Sequence, residues 1–175
     1  AKNMLAWSRQ VKSGDADNLE ARAAAFYWRN LFISLPGFVR EREEAAPNSL
    51  LNYGYAILRA IIARALVGCG LLPTLGIHHH NKYNAYCLAD DIMEPYRPYV
   101  DLLVVEICEE EGFPTELTKE IKARLLALPT LDVEIEGQRR PLMLAATQTA
   151  TSLLRCFTGE ARRLAYPLLS CEPSD

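Results

Sequence analysis

From Pro47-Asn48-Ser49 to about Val67 the chain is apolar nearly all the way round a helix, with Leu51, Ile57, Leu58, Ile61, Ile62 and Leu66 falling on every face. A surface helix keeps one polar face, so a helix of this kind belongs in the middle of a domain with other elements packed around it. The same apolar tract, followed from Ala56 to Ile77, carries Arg59 and Arg64 inside it. A membrane span needs about 20 apolar residues with few or no charges, so the tract reads as a core helix and no membrane association is expected. Gly68, Gly70 and Pro73 end it.

The elements around this helix follow from the same kind of signal. A helix is predicted from Asp17, whose side chain can cap the first turn, through Leu31 or Phe32, with Leu35-Pro36-Gly37 as its stop. Residues 37–47 form an exposed charged loop. A helix beginning near Asn84 meets Pro95, which has no amide hydrogen to give the Asp91 carbonyl, and a kink is expected there before the pattern resumes through Ile107. Thr115 to Leu128 reads as a further helix. Leu131 to Gly137 alternates strictly and forms one arm of a small hairpin. Pro141 to Phe157 and Glu160 to Leu169 supply the last two helices. Residues 1–15 read as a linker, 16–169 as one helical domain, and 170–175 as a loose tail. The fold class is all-α: a multi-helix domain with one β-hairpin.

Of the 175 residues, 50% are hydrophobic and 23% charged, enough apolar material for a packed core. The net charge of -3 gives no global signature of a nucleic-acid binder, so contact with DNA must come from local patches such as Arg139-Arg140 and Arg162-Arg163. The five cysteines are scattered without a CxxC pair, and four lie among apolar neighbours. That pattern fits buried thiols in a reducing compartment, and a cytoplasmic location is expected. Cys87 is close in sequence to three histidines, yet its apolar surroundings favour a structural thiol over a nucleophile.

Metal-binding side chains concentrate in three segments: Glu20 in the first long helix, His78-His79-His80 in the loop after the core helix, and Asp90-Asp91-Ile-Met-Glu94. Asp91 and Glu94 are three apart and Asp90 and Glu94 four apart, so either pair shares a helix face. An imidazole with carboxylate oxygens suits Mg²⁺ or Mn²⁺ better than a structural zinc. Each element also has an ordinary structural reading. Glu20 stands where a capping-box acid would stand after Asp17, the histidines are polar loop residues, and the acids form a solvated face. A di-metal bundle would want Glu-x-x-His pairs on two helices, and the sequence has none.

The run Asn48-Ser-Leu-Leu-Asn-Tyr-Gly-Tyr-Ala-Ile-Leu-Arg59, then Leu75-Gly-Ile-His-His79, then Leu88-Ala-Asp-Asp-Ile-Met-Glu-Pro-Tyr-Arg-Pro98 resembles the CRISPR-associated spacer-acquisition integrases, and Asn18 to Trp28 matches that family's first acidic motif. The likeness is greatest to the type II branch, which accompanies a single large effector nuclease. It implies a divalent-metal site of Glu20, His79 and Glu94, with Asp91 as the accompanying catalytic acid and His78 and His80 as neighbours. The implied chemistry is phosphodiester transfer, in which the 3′-hydroxyl of a DNA fragment attacks a CRISPR repeat, together with metal-dependent nuclease activity. The implied partners are double-stranded DNA, a second copy of the chain, and the second small CRISPR-associated protein. Lys82 and Arg97, flanking the site, are the candidate phosphate contacts. The family's N-terminal β-rich domain is expected to be absent from this chain. The competing reading is a non-catalytic DNA-scaffolding module of the same fold.

Overall fold

A computed structural model describes residues 2–12, 14–41 and 45–169; the centre of the charged loop, Cys171 and the tail from Ser170 lie outside the described residues. The chain forms two compact units, residues 1–44 and 45–175.

The first unit holds α1 (Lys2–Ser8) and α2 (Leu19–Leu31). The polar segment read as a linker thus contains a two-turn helix. Trp7 meets the edge of Phe26 at 5.7 Å and stacks under the Arg22 guanidinium at 4.8 Å, which ties α1 to α2. Behind α2, Phe32 and Phe38 pack edge to face at 4.8 Å as the chain turns back through Pro36-Gly37. The expected Asp17 cap is not formed. Asn18 adopts a left-handed conformation at the helix start, and the carboxylate of Asp15 reaches forward to accept from the amides of Leu19 and Glu20, both at 2.8 Å.

In the second unit α3 (Asn48–Gly68) is the central helix, contacted by α4 (Cys87–Met93), α5 (Arg97–Glu111), α6 (Lys119–Leu126) and α7 (Leu142–Phe157). Its buried side, Leu50, Leu51, Gly54, Leu58, Ile62, Ala65 and Leu66, repeats every three to four residues. Each fully buried leucine or isoleucine there stabilises the fold by about 1.5–3 kcal/mol. By length and composition α3 passes as a membrane-crossing helix. Its uncovered strip is narrow, however, and carries Arg59 and Arg64. Gly54 lets α5 approach: a Cβ there would lie 2.5 Å from Val100 Cγ1.

The kink at Pro95 is present. Helix α4 ends at Met93, a 3₁₀ turn covers Glu94–Tyr96, and α5 resumes at Arg97, ending on left-handed Gly112. Helix α6 starts at Lys119, four residues later than the sequence suggests, because the Thr118 hydroxyl caps it by accepting from the Ile121 amide. Arg124 of α6 clasps α5 through Glu110 at 2.5 Å, with Glu106 and Glu111 within 4 Å.

The predicted hairpin is β1 (Asp132–Ile135) with β2 (Gln138–Pro141). The last predicted helix is not formed. Residues 161–169 bend at 162 and 163 and form no helix, and β3 (Pro167–Leu168) adds antiparallel to β1, giving a three-stranded sheet in the order β2-β1-β3. Long-range hydrogen bonds decide this. The Tyr99 hydroxyl donates to the Leu168 carbonyl (2.9 Å), Thr149 Oγ1 donates to the Ala165 carbonyl (2.9 Å), and the Ala165 amide donates to Ser152 Oγ (2.9 Å). The architecture is therefore mostly helical with a small sheet. Of the cysteines, Cys87 and Cys108 are buried as expected, whereas Cys69 and Cys156 are part-exposed; all four are free thiols.

Candidate functional site

Three consecutive turns of sequence chemistry meet where the histidine loop folds over α4. Helix α4 begins under the carbonyl of Pro73, which accepts from the amides of Leu88 (2.7 Å) and Ala89 (3.3 Å). The loop is thereby pinned to the first turn of the helix that carries the acids. One turn along, Asp91 points back into the loop. Its Oδ2 accepts from the Ile77 (2.5 Å) and His78 (3.0 Å) amides, and its Oδ1 accepts from the His79 amide (3.1 Å) and pairs with His79 Nδ1 at 2.6 Å. The tight wrap needs Gly76: a Cβ there would fall 2.2 Å from the His79 carbonyl oxygen and 2.8 Å from Cys87 Cβ.

The three acids of α4 consequently do three different things. Asp90 is buried and held by Arg59 Nε (2.7 Å) and Asn84 Nδ2 (2.7 Å), so it fastens α4 to α3 and to the loop. Asp91 is consumed by the loop amides and His79. Glu94, at the kink, is the open one: its side chain is 48% exposed and its only ion pair is with Arg97 at 3.4 Å, among the described residues. Sequence spacing alone had allowed Asp90 and Asp91 equally as partners of Glu94. Arg59, Asn84 and Gly76 were not singled out, and the pairing of Arg59 with Asp90, 31 residues apart, leaves no local trace.

The electrostatics follow this division. Burial raises the Asp91 carboxyl, but hydrogen bonds from the His78 amide, the His79 ring and the His79 and Ile77 amides outweigh it and hold the pKa below the ordinary carboxylate value. Asp91 is an ionised, saturated anchor. Glu94 goes the other way: burial pushes its pKa up, Arg97 and His79 oppose the rise, and Asp90 and Asp91 add to it. Glu94 offers carboxylate oxygens, the donor type a hard divalent ion takes, on a half-exposed side chain.

His79 fits the same role. The pairing of Nδ1 with a carboxylate fixes the ring and leaves Nε2 as the nitrogen not paired with Asp91, the second-sphere pattern that metal-ligating histidines show. His78 and His80 are exposed, and His78 touches His79 edge to face at 5.5 Å. Glu20 sits exposed in the first turn of α2, in the other unit. Among the described residues no three His, Cys, Asp or Glu side chains form a ready-made metal cage.

The flanking cations differ. Lys82 is exposed, its ammonium 4.8 Å from the Tyr83 ring centroid. Arg97 is half-sequestered, its guanidinium 4.9 Å over the Tyr55 ring and its Nε buried without a hydrogen bond. The 3.4 Å approach of that nitrogen to Glu94 is an ion pair whose N–H is not aimed at the oxygen. Tyr55 in turn donates its hydroxyl to the buried Asp101. Cys87 Sγ faces the carbonyls of Asn81 (3.5 Å) and Asn84 (3.4 Å), a packed thiol among loop carbonyls.

The family described as CRISPR associated protein Cas1 matches residues 5–126. The CRISPR-associated endonuclease Cas1 of Neisseria meningitidis serogroup C is 38% identical over 168 residues, covering 95% of this chain and 54% of that protein. The CRISPR-associated endonuclease Cas1 2 of Pyrobaculum aerophilum is 35% identical over 141 residues, covering 79% and 47%. The chain thus spans about half the length of the curated relatives it matches. Among solved structures, a casposase bound to integration product superposes with a TM-score of 0.75 at 22% identity, over 93% of this chain and 53% of that one, a likeness of fold.

Proposed function

The chain belongs to the CRISPR-associated Cas1 family, and from that premise we propose that residues 16–169 are the catalytic domain of a divalent-metal-dependent DNA endonuclease and integrase. Its reaction is insertion of new spacers into a CRISPR array, by attack of a DNA fragment's 3′-hydroxyl on a repeat phosphodiester. The observation that carries the reading is the division of labour on α4: Asp91 spends its charge on holding His79, and Glu94 is left open beside it.

In this reading Glu20, His79 and Glu94 hold Mg²⁺ or Mn²⁺, a hard ion suited to carboxylate oxygens with one imidazole. The ion, when bound, supplies a concentrated positive charge that stabilises the charge developing on the phosphodiester oxygens. The protein's own residues do the positioning. Asp91 fixes the His79 ring and leaves Nε2 as the nitrogen not paired with it. Asp90 and Arg59 hold α4 at its height on α3, and the half-exposed Glu94 stands at the Pro95 kink. Arg97 and Lys82 offer cationic groups to flanking phosphates. The whole enzyme works as a dimer with the second small CRISPR-associated protein on double-stranded DNA.

The test is strand transfer from a labelled DNA fragment bearing a free 3′-hydroxyl into a repeat-containing plasmid, with Mn²⁺ present. Transfer is expected with the wild type and is expected to drop by roughly a hundredfold or more in His79→Ala and Glu94→Ala, the scale of losing a charge-stabilising group. Wild-type transfer in either variant overturns the assignment. DNA binding with no transfer at all supports the scaffolding reading instead.

A further inference from the structure

Two arginine pairs of the sequence, Arg139-Arg140 and Arg162-Arg163, take no part in the centre at His79 and Glu94, yet the fold brings one member of each to the same place. Arg140 on β2, Arg155 in the last turn of α7 and Arg163 in the segment after α7 line one open groove of about 540 Å³, floored by the α7 face of Leu144, Gln148 and Thr151. Arg139, its side chain alternating to the other side of the strand, lines a different cleft. The local charge is lopsided: residues 138–169 hold five arginines and a single acid, Glu160, in a chain whose net charge is -3.

Two acids stand among these arginines, Glu136 in the groove lining itself and Glu160 beside Arg155, and both are already engaged. Glu136 accepts from the Gln148 side-chain amide, and Glu160 lies 3.7 Å from Arg155 Nε and accepts from the Thr158 hydroxyl at 3.0 Å. Arg163 has no ion pair among the described residues, and the inner oxygen of Gln148, Oε1, is buried with no hydrogen-bond partner. Arg140 also donates to Gln138 Oε1, so three guanidiniums stand along this groove against the two carboxylates of Glu136 and Glu160, a net positive charge that an anion offsets. The nature of the lining narrows which anion. A single strand would want aromatic platforms for its bases, and no aromatic side chain lines this groove. Guanidinium forks above Gln148 and Thr151 match the oxygens of a phosphodiester backbone.

We infer that this groove is a second DNA-contact surface, holding the sugar-phosphate backbone of a duplex without reading its sequence. That the polyanion is DNA rests on the proposed integrase function; that it is a phosphodiester rests on the arginines. The experiment is anisotropy titration of a short labelled duplex with the chain in EDTA, across a salt series, so that no metal chemistry enters. The variants are Arg163→Gln, the triple Arg140→Gln/Arg155→Gln/Arg163→Gln, the matching triple to Lys, and Arg124→Gln as a charge-matched control on the far pair with Glu110.

At ~0.1 M salt the Gln triple is expected to bind about tenfold more weakly or worse, with a salt slope shallower by roughly two to three, since each lost phosphate contact removes about 0.9. Arg163→Gln should lose about one contact, Arg124→Gln none, and the Lys triple should keep most of the slope. Unchanged affinity and slope in the Gln triple overturn the inference. So does absence of duplex binding by the wild type, or a Lys triple as weak as the Gln triple. Failure here with strand transfer intact would leave the integrase reading standing. Loss of strand transfer in the wild type, with this salt dependence intact, would do the reverse.

Discussion

At the scale of single residues, the informative contrast is between two carboxylates three positions apart. The side chain of Asp91 is 8% exposed and surrounded by donors, three amides and a ring nitrogen. Its isostere brings an NH₂ group against those donors, so Asp91→Asn is expected to cost at least about 2 kcal/mol of stability in urea denaturation at neutral pH, the scale of losing hydrogen bonds to a charged acceptor. Glu94→Gln, at a half-exposed position with one loose ion pair, should change stability by no more than about 0.5 kcal/mol. Equal costs for the two would show that the acids share one role, against the division drawn here. The sequence motif names both residues but cannot separate them, because what separates them is the path of the loop over α4.

At the scale of elements, the segment after α7 is where local reading failed. Residues 160–169 carry apolar residues at helical spacing, and no periodicity could reveal that Tyr99, Thr149 and Ser152 would claim their backbone groups. Helices α3, α5 and α7 were legible for the opposite reason: their signals are local, in the run of apolar residues, the placement of Pro95 and the Gly112 stop. The anchoring of β3 has a pH consequence. Burial is the largest influence on the Tyr99 hydroxyl and raises its pKa above the ordinary value near 10, with Glu134 nearby adding to the rise and a backbone hydrogen bond there opposing it. A raised folded pKa means that the stability is fully present below the unfolded value and is lost as pH rises through the folded one. Burial raises Tyr96 and Cys108 in the same sense, Cys108 to about 11. Stability measured by urea should therefore fall between pH 8 and 11, and fall less in Tyr99→Phe, which cannot ionise. An identical decline in both would remove Tyr99 from the account.

At the scale of the whole molecule, the second unit is built so that one buried helix carries the site at its side. Helix α3 supplies the core, Arg59 ties α4 to it, and the half-exposed Glu94 stands at the kink after α4. The resemblance of the motifs to a known family named Glu20, His79 and Glu94 as a set; spacing alone reached only three scattered clusters. Geometry separates His79 and Glu94 from their neighbours: Asp90 and Asp91 are spent on structure, and His78 and His80 are exposed. The acidic net charge hides a local excess of the other sign, since residues 138–169 carry five of the 19 Lys and Arg against one acid. Calorimetric titration of Mn²⁺ into the chain and into Glu20→Gln, His79→Ala and Glu94→Gln reads the proposed metal site in the absence of DNA. The account predicts one site in the wild type, weakened by at least about a hundredfold in each variant, the upper end of what even second-sphere changes cost. Wild-type affinity in any of the three, or no binding by the wild type, would contradict it.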